Sequence, residues 1–77
     1  MKIHIRLYGV LREKLEPEKH GKIVLDLPEG TAIADILTRF EITGHVHVSV
    51  NEEMEEDRQT VLHDGAHVDV LPPSAGG

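Results

Sequence analysis

An α+β fold, with one main helix packed across one face of a mixed sheet of four to five strands, is what this sequence predicts. Three observations carry that expectation. Four segments alternate apolar and polar residues with a period of two, so each offers a single apolar face. One segment repeats its apolar residues with the period of a helix. The segments run strand, strand, helix, strand, short strand, strand, and one striped helix can cover a sheet with one apolar face in two layers.

The first strand spans Lys2 to Leu7, with Ile3, Ile5 and Leu7 on one side and Lys2, His4 and Arg6 on the other. Tyr8-Gly9 breaks it. Val10 to Leu15 has Leu11 and Leu15 four apart, which fits a turn or two of helix before Pro17 stops it. Glu16 to Gly21 is polar and reads as a loop. Lys22 to Leu27 is a second strand, its apolar side formed by Ile23, Leu25 and Leu27. After the Pro28-Glu29-Gly30 turn, Thr31 stands where an N-cap is expected. Ile33, Ile36, Leu37 and Phe40 then form one helical stripe. Asp35 and Arg39 complement the helix dipole, and Gly44 is a suitable stop.

His45 to Val50 alternates again, followed by a turn signal at Asn51-Glu52. Glu52 to Asp57 carries five acids in six residues around Met54 and reads as a solvated loop. Val61-Leu62 offers a minor edge strand. After Asp64-Gly65, Ala66, Val68 and Val70 alternate with His67 and Asp69 in a final strand. The first and last strands are expected to be parallel neighbours at the centre of the sheet, which is the β-grasp arrangement of ubiquitin-like proteins.

Composition narrows the function classes. Seventy-seven residues make one domain with a small core. The absence of cysteine excludes a disulfide scaffold, thiolate metal sites, a persulfide and a cysteine nucleophile, and suits a reducing cytoplasm. No apolar run approaches the roughly 20 residues of a membrane helix, and the N-terminus is not a signal peptide. A formal charge of −6 disfavours nucleic acid as a partner, because phosphates need a basic face. Tyr8 and Phe40 are the only aromatic residues, too few for a stacking platform. No nucleophile–base pair, carboxylate dyad or metal-ligand spacing stands out, so an enzyme is not expected.

The domain is therefore read as residues 1–71, with residues 72–77 as an extended tail. Pro72 and Pro73 lack N–H donors and favour an extended path, so they end the strand. Ser74, Ala75, Gly76 and Gly77 offer almost no apolar surface to bury. Six residues reach at most about 20 Å. Terminal glycines are common in linkers, where they are inert. The alternative is that a partner passes the terminal carboxylate down a narrow channel, for which glycine gives the slimmest and most adaptable backbone.

Four stretches together carry a family likeness: Ile5-Arg6-Leu7-Tyr8-Gly9-Val10-Leu11-Arg12-Glu13; Leu27-Pro28-Glu29-Gly30-Thr31; Val48-Ser49-Val50-Asn51; and Asp64-Gly65 through Pro72-Pro73-Ser74-Ala75-Gly76-Gly77. In this order the chain resembles the MoaD/ThiS family of ubiquitin-like sulfur carriers over essentially its whole length. The Pro-Pro-x-x-Gly-Gly ending looks more like the molybdopterin-synthase small subunit than the thiamine carrier. The acidic stretch from Asn51 to Thr60 departs from the family pattern.

The resemblance implies that Gly77 is the site of adenylation and thiocarboxylate formation. Gly76 provides the slim approach, and Pro72, Pro73, Ser74 and Ala75 make up the rest of the segment a partner channel takes. An α-carboxylate, with an ordinary pKa of about 3.5, is ionised at neutral pH and must be activated before it reacts. The chain has no phosphate-binding loop, so ATP is used by a partner and no cofactor is expected on this chain. The implied partners are a ubiquitin-activating-type adenylyltransferase, a sulfur donor protein and a molybdopterin-synthase large subunit. Conjugation to lysines as a ubiquitin-like modifier would use the same terminus, and so would carriers for thiamine or other sulfur pathways.

Outside the tail, His4, Arg6, His47 and His67 are expected on the face away from the helix. If the last strand lies between the first and third, the three histidines form a row. Such a row is a wet surface, a chance metal site, or a docking face whose affinity falls as imidazoles protonate at about pH 6.

Overall fold

The computed structural model of the chain describes residues 1–73. Strand β1 (Lys2–Leu7) leads into a 3-10 helix (Gly9–Lys14) and a shorter one (Pro17–Lys19). Strand β2 (Lys22–Asp26), helix α1 (Ile33–Arg39), β3 (His47–Val50), β4 (Glu53–Met54) and β5 (His67–Leu71) follow. The sheet order is β2-β1-β5-β3-β4. The β1–β5 pair is parallel and the other pairs are antiparallel, so first and last strands lie side by side at the centre, as in ubiquitin-like β-grasp folds.

The alternation read from the sequence becomes the two faces of this sheet. Ile3, Ile5, Leu7, Val48, Val68 and Val70 are buried on one side and meet Ile33 and Ile36 of α1. Leu37 and Phe40, the rest of the helical stripe, are partly buried against the same cluster. Lys2, Arg6, His47 and His67 are exposed on the other side.

The start of α1 differs from the sequence expectation. Thr31 is not the N-cap; Ala32 is, and it has no side-chain acceptor to offer. Ala32 is extended and bridges to Val61, and Leu62 N–H donates to the Thr31 carbonyl at 2.9 Å. The Thr31 hydroxyl is turned away and donates to the Pro28 carbonyl at 2.7 Å. The first-turn donors find other partners. Ile33 N–H reaches the Thr60 carbonyl at 3.1 Å and Ala34 N–H the Arg58 carbonyl at 2.8 Å. Ala32 N–H donates to the Asp35 carboxylate at 2.8 Å, which is the Asp half of a capping box.

The end of α1 also lies earlier than Gly44. Glu41 takes the left-handed conformation at φ 55°. Its N–H bonds the Thr38 carbonyl at 3.0 Å, and the N–H of buried Ile42 bonds the Leu37 carbonyl at 2.9 Å. This is a Schellman closure with its usual apolar residue just beyond the helix.

Val61-Leu62 is not an edge strand. Val61 makes one bridge outside the sheet and Leu62 is buried in the core. The edge position belongs to β4, inside the acidic stretch read as a loop. Asn51 and Glu52 both have positive φ, 50° and 70°, and this primed turn folds Glu53 and Met54 back onto β3. The segment expected to form a turn or two of helix before Pro17 is a 3-10 helix.

Candidate functional site

The described part of the site is the root of the C-terminal segment. Strand β5 is the central strand, and its end is flanked by the end of β1 and the start of β3: Leu7 lies opposite Val70, and Leu71 opposite His47. Tyr8 N–H extends the β1 side by donating to the Val70 carbonyl at 3.0 Å. The chain then turns sharply at Gly9, with φ 57°, into the 3-10 helix. The Pro72 ring lies over that corner. A Cβ on Gly9 would sit 3.0 Å from Pro72 Cγ and 3.6 Å from Cδ. Pro72 is accordingly half-buried, and Pro73 is exposed. Ser74, Ala75, Gly76 and Gly77, the remainder of the expected channel segment and reacting terminus, lie outside the described residues.

Beside the root, on the face away from α1, Arg6 donates from Nη1 to the Tyr8 hydroxyl at 3.1 Å, with its guanidinium carbon 5.9 Å from the centre of the same ring. The bond to Tyr8 raises the Arg6 pKa above its ordinary value, and the charge of Asp69, opposite Arg6 in register, adds in the same direction. The Ser49 hydroxyl reaches Asp69 from the other side at 3.5 Å. Exposed Val10 lies close by in sequence, just past the Gly9 corner.

The expected histidine row is not formed as a row of three. His4 and His67 are register partners on β1 and β5, and their rings stack with centroids 4.3 Å apart at 8°. His47 faces Leu71, four residues further along β5. At a strand rise of about 3.3 Å per residue this puts it roughly 13 Å from His67. Its ring instead meets His45 edge-on at 5.1 Å. The residue beside His67 on the β3 side is Asn51, whose side-chain oxygen accepts the His67 N–H at 2.9 Å. Facing follows from alternation, but the register of β3 against β5, which puts His47 opposite Leu71, does not. The candidate docking face thus divides into a His4/His67 pair at one end and His47 beside the root, with Arg6 between them on β1. Among the described residues no group of three or more His, Cys, Asp or Glu is placed to hold a metal ion, and no helix is long and apolar enough to cross a membrane.

The sequence points to Pro72 and Pro73 but not to Gly9 beneath the Pro72 ring. The signal was the glycine directly after a strand, read only as a break.

A model of the ThiS family matches residues 5–77. Among solved structures, the chain is similar to the HVO 2177 protein of Haloferax volcanii, with 24% identity, a TM-score of 0.79, and coverage of 100% of this chain and 87% of that one. It is similar to the Haloferax volcanii small archaeal modifier protein 1, with 16% identity, a TM-score of 0.73, and coverage of 94% and 97%. It is also similar to a chain in the complex of subunits 1 and 2 of molybdopterin-converting factor from Helicobacter pylori 26695, with 22% identity, a TM-score of 0.67, and full coverage of both chains (100% each). At these identities the likeness is one of fold. No curated protein matches the sequence.

Proposed function

The chain belongs to the ThiS family of ubiquitin-fold sulfur carriers, and from that premise we propose that it carries sulfur as a thiocarboxylate on Gly77. The observation that carries the reading is the reach of the family match, which takes in Gly76 and Gly77. The fold supports it by sending the chain out from the end of its central strand, over Gly9.

The chemistry needs a partner. A carboxylate oxygen of Gly77 attacks the α-phosphorus of ATP on an adenylyltransferase, pyrophosphate leaves, and a mixed anhydride forms. A nucleophile at the oxidation level of hydrosulfide, supplied by a sulfur donor protein, attacks the acyl carbon. AMP leaves with the anhydride oxygen, and the terminus becomes C(=O)–S⁻. The residues of this chain present the terminus and dock the partner. Delivery to a molybdopterin-type large subunit is the favoured destination. Its support is the Pro-Pro-x-x-Gly-Gly ending and the likeness to a chain from the two-subunit molybdopterin-converting factor complex. A cytoplasmic setting fits a chain without cysteine.

Intact-mass spectrometry tests the reading. Incubated with the adenylyltransferase of its own genome, ATP and sulfide, the chain is expected to gain the mass difference between sulfur and oxygen. A chain lacking Gly76 and Gly77 is expected to gain nothing. An unchanged full-length mass, with Gly-Gly remnants on lysines of other proteins, would favour the modifier reading suggested by the likeness to small archaeal modifier protein 1.

A further inference from the structure

Gly9 stands apart from most of the glycines with positive φ. Gly30, Gly44 and Gly65 have nothing within 4 Å of where a Cβ would lie, so only their torsions call for glycine. Gly9 needs both its torsion and its clearance, and the group it clears is Pro72. The surroundings leave Pro72 little freedom. Its own φ is fixed by the ring, and the ring also restricts Leu71 before it. Leu71 is tied into the ladder opposite His47. On the other side, Tyr8 is tied to Val70 by its N–H, and its carbonyl accepts the Leu11 N–H at 3.0 Å. A methyl group at position 9 therefore asks for a shift of a few tenths of an ångström, and that shift falls on the Pro72 ring, through its pucker and the Leu71–Pro72 junction.

We propose that Gly9 is a positioning residue, and that its bare Cα is the seat on which the Pro72 ring rests to set the direction in which the C-terminal segment leaves the domain. The proposal deepens the carrier reading and rests on it for its functional consequence. The five residues from Pro73 to Gly77 span at most about 17 Å, so the position and heading of the root fix the region within which a partner must collect the terminus. A root turned from its course weakens capture of the segment by a partner, a loss read in KM more than in kcat.

The test uses the full chain and the adenylyltransferase of its own genome, read by ATP–pyrophosphate exchange. Gly9→Ala is expected to raise the KM for the chain about tenfold or more with a smaller change in kcat. Gly44→Ala imposes the same kind of torsional strain without a neighbour, and is expected to lose stability while keeping the wild-type KM. Pro72→Ala removes the ring, and adding Gly9→Ala to it is expected to change KM no further, so the two positions are coupled. An equal cost of Gly9→Ala in both backgrounds, or an equal KM for Gly9→Ala and Gly44→Ala, overturns the proposal.

An NMR arm keeps the test independent of partner chemistry. The wild type is expected to show a Gly9 Hα to Pro72 ring NOE, and Gly9→Ala to shift the Pro73–Gly77 resonances far more than Gly44→Ala does. A missing NOE overturns the seat itself, and it decides the matter even if Gly9→Ala does not fold. If the wild-type chain is not charged at all while the NOE is present, the carrier reading fails and the seat stands.

Discussion

Glu41 holds the left-handed conformation that closes α1, with φ 55°. A side chain in that region costs roughly 1–2 kcal/mol, and glycine avoids the cost at the expense of greater freedom in the unfolded chain. Both Schellman bonds are made by backbone atoms, as is the carbonyl of Glu41 that accepts the Lys14 ammonium at 3.2 Å. Glu41→Gly is therefore expected to raise stability by about 0.5–1 kcal/mol. Urea unfolding should show a higher midpoint at unchanged slope, and a lower midpoint would mean that the glutamate side chain makes a contribution of its own. At this scale the sequence was legible wherever one side chain's own chemistry decides, as for Asp35 at the helix start. It was opaque wherever a distant backbone group intervened. Thr31 has a good capping hydroxyl, yet its carbonyl is held by the Leu62 N–H and its hydroxyl donates back to the Pro28 carbonyl.

Among the elements, the irregular stretch from Glu55 to Leu62 ties together more of the fold than its composition suggests. Arg58 sits at its middle. Its guanidinium donates to the Val46 carbonyl just before β3 and to the Glu55 carbonyl, while its own carbonyl accepts the Ala34 N–H of α1. Thr60 caps the same helix end, and Leu62 enters the core. Arg58→Met keeps the aliphatic stem and removes two charge-assisted bonds, leaving the Val46 carbonyl without that donor. The expected cost is about 2–3 kcal/mol, seen as a lower thermal midpoint, and a change under 0.5 kcal/mol would show that water replaces the guanidinium. Elements with a strong period, β1, α1 and β5, could be read directly because their apolar residues must face one core. Strand β4 could not. It is two residues long, its side chains are exposed, and backbone bonds alone pair it with β3.

For the molecule as a whole, the two-layer architecture followed from counting faces, and the parallel central pair from the order of elements together with the resemblance. The register of β3 did not follow, and with it went the three-histidine row. The root of the C-terminal segment was half legible: two prolines announce that the strand ends, but the glycine beneath Pro72 lies 63 positions before it in the chain.

The parallel pairing of β1 and β5 has a mechanical corollary. Tension applied between Met1 and the last residues slides these two strands past one another, so every bond from the His4–His67 pair to the Leu7–Val70 pair is loaded together. Tension applied across the outer strands, through Val24 and Glu53, peels the sheet one bond at a time. Single-molecule pulling is expected to give a clearly higher rupture force for the first geometry than for the second, and equal forces would refute it. A machine that grips this protein by its far end thus hauls on the seam most able to bear the strain, and the domain can be towed without being unravelled.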